Sequence, residues 1–290
     1  MPFKAPQTIA ALVMAAASLI TSILPTTAMP PNKDKETPVR LIGLTSDNKL
    51  VSFRTDRTTS LRNTRIKNID GQIVGIDVRP ANGLLYGLTD TDKIYTIDPT
   101  TGDTKLISTL STPFKGNIRT GLDFNPVPDR LRLVDAKGQN FRINVDTGAV
   151  TVDKPLNYAT TDANATASPA ITAAAYTNAF AGPPSPTGVT PPTRTTQLFV
   201  IDSTLDTLVL QNPPNDGVLK TIGALGVDFK PTGEFDIFSP RPDVNLAFAV
   251  SGSTFYAIDL GSGTAIAVGT ADKENDLIGL TFTLPPMNGK

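Results

Sequence analysis

The two ends of the chain constrain the fold more than any other feature. Arg40-Leu41-Ile42-Gly43-Leu44-Thr45 and Lys49-Leu50-Val51-Ser52-Phe53 match the second and third runs of an internal repeat, with no first run before them. Leu277-Ile278-Gly279-Leu280-Thr281-Phe282-Thr283 matches a first run, with nothing after it. One full unit reads Gly75-Ile76-Asp77-Val78-Arg79-Pro80, then Leu84 to Leu88, Lys93 to Asp98 and Lys105 to Ile107. A second begins at Gly121-Leu122-Asp123-Phe124-Asn125-Pro126, and another at Phe235-Asp236-Ile237-Phe238. A divergent copy begins at Ala174-Ala175-Tyr176-Thr177-Asn178 and carries an insertion over 181–196, dense in Pro, Thr and Gly. Each unit is four short β-rich runs separated by Gly, Asp, Pro or Thr turns over about 40 residues.

An orphan first run at one end and orphan later runs at the other complete a single sheet when joined. Unpaired sheet edges invite aggregation, and a closed ring removes them. The chain is therefore predicted to be all-β, a five-bladed β-propeller closed by the C-terminal strand joining the N-terminal blade. The domain spans 39–285, with a tail at 286–290. Gly75, Gly121 and Gly279 open three of the innermost runs, where backbones near an axis approach closely.

Ahead of the repeats, Lys4 precedes a nearly uninterrupted apolar run, Ile9 to Leu24, and Thr26-Thr27-Ala28 supplies small residues. That order predicts a cleaved signal peptide over 1–28, followed by a flexible lead-in over 29–38, in a secreted or periplasmic protein. The run is too short to span a bilayer comfortably. The chain contains no Cys, which excludes a lipid anchor on a thiol, disulfides and zinc-thiolate sites.

There is also no His and no Trp. The usual general base and the commonest transition-metal ligand are missing, as is the best aromatic platform for sugars. With 26 basic against 27 acidic residues and no single-sign run, nothing marks a nucleic-acid surface. No cofactor and no catalytic residue are assigned, and a monomer is expected.

The candidate ligand-binding set is polar and falls on the innermost runs. Asp77, Asp123 and Asp236 are equivalent in the repeat, with Tyr176 and Thr281 in the same place in the other two copies; Arg79, Asn125 and Asn178 follow two residues later. Ring symmetry brings these toward the axis, where carboxylates hold a hard cation or a polar ligand. The alternative is that each Asp accepts hydrogen bonds from the neighbouring blade and fixes its packing. Asp47, Asp90, Asp92, Asp135, Asp202 and Asp206 are predicted in turns, as turn stabilisers or as a second site. Arg119, Arg130, Arg132 and Arg142 within one unit are expected as a solvated strand edge, the alternative being an anion site.

The residues Gly121 to Pro126, Asp129 to Val134 and Asn140-Phe141-Arg142, with Ala174 to Asn178 and the repeated Leu-Ile-Gly-Leu at 41–44 and 277–280, resemble a secreted bacterial family. It is known only as domain of unknown function 4394. The resemblance covers roughly Val39 to Leu284; it implies a propeller-like exported protein and carries over no catalytic residue. The expected function is an exported, non-catalytic binding or scaffold module for a small polar ligand, a glycan or a protein. The alternatives are a carboxylate-based hydrolase or lyase, with or without calcium assistance, and a purely structural envelope protein.

Overall fold

The computed structural model describes residues 40–54, 57–182, 194–271 and 277–283. The expected signal peptide, the lead-in, most of the 181–196 insertion and the tail lie outside these residues. Among the described residues no helix is long and apolar enough to cross a membrane.

The chain forms five small antiparallel sheets, each led by one innermost strand. Blade 1 is ordered β21 (Leu277–Phe282), β1 (Arg40–Thr45), β2 (Lys49–Arg54), β3 (Arg57–Arg65). Blade 2 comprises β4 (Ile73–Val78), β5 (Leu85–Thr89), β6 (Lys93–Ile97) and β7 (Thr104–Thr109). Blade 3 comprises β8 (Thr120–Asn125), β9 (Arg130–Asp135), β10 (Asn140–Asn144) and β11 (Ala149–Val152). Blade 4 runs β13 (Ile171–Tyr176), β14 (Leu198–Asp202), β15 (Thr207–Gln211) and β16 (Val218–Ala224), with β12 (Asn157–Tyr158) added parallel to β16. Blade 5 comprises β17 (Glu234–Arg241), β18 (Val244–Ser251), β19 (Thr254–Ile258) and β20 (Ala265–Thr270).

The ring closes as predicted. β21 pairs antiparallel with β1, Leu41 opposite Phe282, Ile42 opposite Thr281, Gly43 opposite Leu280 and Leu44 opposite Gly279. The innermost strands follow one another around the axis in the order β21, β4, β8, β13, β17. The protein is a five-bladed β-propeller.

Alternation along each strand sends successive side chains to opposite sheet faces, and here both faces are buried against neighbouring blades. Ile76 and Val78 pack with Ile42, Leu44 and Leu50 between blades 1 and 2. Val74 and Tyr86 pack with Phe124 and Phe141 between blades 2 and 3. Comparable cores lie between the other three pairs, such as Phe53, Phe255 and Phe282 between blades 5 and 1. The propeller thus has five cores, one per blade interface, rather than a central one.

Glycine near the axis is required by contact. A Cβ on Gly121 would sit 2.7 Å from the backbone of Ala173 and Ala174 in blade 4, nearer than real Cβ atoms come. The turn aspartates do what turns need: Asp135 Oδ1 accepts from the amides of Lys137 and Gln139, and Asp202 Oδ1 from those of Thr204 and Leu205. Asp92 and Asp206 adopt φ of +64° and +50°, and their carboxylates accept from Phe114 N and Phe229 N, pinning the connection to the next blade.

Candidate functional site

Each blade exposes two rims. One carries the turns joining first to second and third to fourth strands; the other carries the second-to-third turns and the connections between blades. The predicted polar residues lie toward the first rim, near the ends of the innermost strands.

Asp77, Asp123 and Asp236 do converge. All three are buried, and one carboxylate oxygen from each lies within 4.8 Å of the others. The same carboxylates also hold neighbouring blades. Asp77 Oδ2 accepts from Phe124 N of blade 3 at 2.8 Å, and Asp123 Oδ2 from Tyr176 N of blade 4 at 2.7 Å. Asp236 Oδ2 accepts from Phe282 N of blade 1 at 3.1 Å. Thr281 Oγ1 of blade 1 donates to Asp77 Oδ1 at 2.9 Å. Asp77 Oδ1 and Asp236 Oδ1 accept in addition from the amides of Val78 and Ile237.

Burial sets the electrostatics of this group. Desolvation pushes the Asp77 carboxyl up to about 6, against the pull of the Phe124 amide and other hydrogen bonds. It pushes Asp236 up to about 8, helped by the charge of Asp77. Asp123 is driven well above the usual carboxylate range by burial and then by the charges of Asp77 and Asp236. Glu234, which the sequence reading missed, is also buried and raised well above its ordinary value by burial. It stands two residues before Asp236 on the same strand, so period-2 alternation was the available signal. Asp77, Asp123 and Asp236 thus form a carboxyl-rich centre in which burial disfavours ionisation, with Glu234 one alternation away along β17.

The side chains of the other four predicted residues do not join it. Arg79 turns to blade 3, where Nε donates to Asp129 at 2.8 Å and Nη1 to Asp146 at 2.7 Å. Asn125 Oδ1 accepts from Val127 N in its own turn. Tyr176 is buried, and its hydroxyl accepts from Arg132 Nε at 3.2 Å. Asn178, at φ +58°, donates through its amide nitrogen to Asn245 Oδ1 and through Nδ2 to Thr195 O, locking blade 4 to blade 5.

The arginine expectation needs correction. Arg132 is not a solvated edge residue; its side chain is 1% exposed. It donates to Asp153, Asn140, Asn215 and Tyr176, because its strand face is covered by blade 4 and by the loop that carries Asn215. Arg142 pairs with both oxygens of the same Asp153.

Among the described residues two openings on the first rim stand out. A groove of about 530 Å³ between blades 1 and 2 is lined by Val78, Leu84, Ile97, Asp98, Lys105 and others. A smaller cleft of about 250 Å³ between blades 4 and 5 is lined wholly by hydrogen-bonding residues: Thr177, Asn178, Thr195, Thr196, Gln197, Asp243 and Asn245.

The sequence model of the family DUF4394, a domain of unknown function, matches residues 49–281. The chain belongs to that family. No curated protein matches this DUF4394 chain. Among solved structures, one in a nidogen/laminin complex is 12% identical, covers 85% of this chain and 98% of its own, and superposes with a TM-score of 0.50. A protein of unknown function from Bacteroides thetaiotaomicron is 14% identical over 83% of this chain and 61% of its own, with a TM-score of 0.48. An auxiliary nutrient binding protein from Bacteroides ovatus is 14% identical over 80% and 58%, with a TM-score of 0.42. At 12% identity the likeness to the nidogen/laminin structure speaks to the fold alone.

Proposed function

We propose that this DUF4394 propeller is an exported, non-catalytic binding or scaffold module that takes a small polar ligand on its first rim. The polar cleft between blades 4 and 5 carries the reading. It is concave, every side chain lining it carries a group able to donate or accept hydrogen bonds, and it contains Asn178, one of the residues expected to meet a ligand. The missing His and Cys support it by removing the most frequent general base and the thiol nucleophile. A thermal-shift screen of sugars, sugar acids, amino acids and divalent cations against the full chain is the test. The reading falls if no compound raises Tm and no partner co-purifies. Export is tested separately, by the mass of the N-terminus after secretion: cleavage after Ala28 is expected.

A second reading is a carboxylate-based hydrolase or lyase, with or without calcium, at the axis. The approach of Asp77, Asp123 and Asp236 and their raised proton affinity favour it. Asn at each of the three positions separates the readings. Lost turnover at unchanged stability would favour chemistry, whereas lowered stability with binding intact favours blade fastening.

A further inference from the structure

Among the described residues three arginines are buried, and two of them have counter-charges. Arg79 bridges Asp129 and Asp146; Arg132 meets Asp153 and three neutral acceptors. The third, Arg194, is 7% exposed, yet its Nη1 is fully buried and has no hydrogen-bond partner. Among the described residues no carboxylate lies within ion-pair distance of it. Its guanidinium lies 3.9 Å from the ring centroid of Phe180. Burial lowers its proton affinity, with no acid nearby to restore it. A guanidinium stays charged in proteins, and a lone buried charge is destabilising unless something compensates it.

We propose that Arg194 and Phe180 form an anion-receiving position beside the polar cleft, and that the ligand of this rim carries a single carboxylate. The inference rests on the binding reading above and names the class of ligand. Phe180 covers one face of the guanidinium, so an anion approaches its edge, where paired N–H groups match the two oxygens of a carboxylate. Arg194 directly precedes Thr195 and Thr196 of the cleft wall, and Phe180 follows Asn178 by two residues. The two segments are tied at that point, since Asn178 Nδ2 donates to Thr195 O at 2.8 Å.

Charge selects the anion. Asp243 is the one ionisable group lining the cleft, and it opposes a doubly charged ligand. One guanidinium balances one carboxylate and leaves a phosphate monoester half uncompensated. The amide and hydroxyl groups of Asn178, Gln197, Asn245 and Thr196 suit a polyhydroxylated body. A sugar acid fits this combination.

The experiment is calorimetric titration and thermal shift on the full chain with galacturonate, galactose and galactose 6-phosphate, for the wild type, Arg194→Gln and Arg194→Lys. Galacturonate is expected to bind about tenfold tighter than galactose in the wild type, the size of one charge-assisted pair. Arg194→Gln should erase that preference while ligand-free Tm stays equal or rises, because the substitution removes an uncompensated charge. Arg194→Lys should keep part of the preference. A marked fall in ligand-free Tm for Arg194→Gln would show that the guanidinium already has a structural partner, and would overturn the proposal. Equal binding of galacturonate and galactose would overturn it while leaving the polar-ligand reading in place. Tighter binding of the phosphate would overturn the carboxylate assignment. Silence from all three compounds would overturn the proposal, and the broad screen then decides the wider reading.

Discussion

The axial carboxylic acids show how one residue type serves fastening and titration together. A carboxyl whose proton affinity is higher folded than unfolded adds stability that is complete below the ordinary carboxylate range. That stability is lost as pH rises through the folded value. For Asp77 the loss runs from the ordinary carboxylate value and is complete above about 6, and for Asp236 it continues to about 8. Thermal unfolding followed from about pH 4 to pH 9 should therefore show Tm falling across that range. Asp236→Asn keeps an acceptor for Phe282 N but does not ionise, so it should flatten the upper part of the fall; an unchanged profile would point to a different titrating group. Arg132 behaves oppositely to Arg194. Arg132→Leu strands a buried Asp153, which is 5% exposed, with only Arg142 beside it. Removing one partner of a buried pair costs about 3–5 kcal/mol, so urea denaturation should register a loss of that order. Residue types were legible here, but surroundings were not. Arg132 reads as a charged residue on a short strand, and only the blade packed over it makes it a buried hub.

Among the elements, the innermost strands are the least tolerant. β8 meets β13 so closely that any side chain at Gly121 displaces backbone, which cannot yield as a flexible side-chain tip does. Gly121→Ala is expected to destabilise by about 1–3 kcal/mol, the ordinary range for overpacking. Gly83 has positive φ, +70°, with nothing within 4 Å of a built Cβ, and Gly83→Ala should cost about 1 kcal/mol from backbone conformation alone. Paired melting curves separate the two, and the order of the losses is the check. The turns at Asp135 and Asp202 were readable in advance because an Asx turn is a local device, made by a side chain and amides within a few residues. The added strand β12 was not, since it is two residues long and pairs parallel to β16 from a distant part of the chain.

At the scale of the whole molecule, closure holds the ring. β21 supplies the first strand of blade 1, buries Leu277, Leu280 and Phe282 against blade 5, and provides Thr281 Oγ1 and Phe282 N to the axial acids. Ending the chain before Leu277 should abolish the single cooperative unfolding transition and expose β1 as an aggregation-prone edge. Calorimetry with light scattering reports both, and a truncated chain that melts cooperatively near the wild-type Tm would contradict that role.

The repeat by itself determined the blade count, the closure partner and the alignment of Asp77, Asp123 and Asp236, because period and register are properties of the chain. What only the tertiary structure decided was which polar groups meet. The convergence of those acids and the burial of Arg132 both arise between blades. Their distances depend on how sheets far apart in sequence pack around the axis, and no local pattern encodes that.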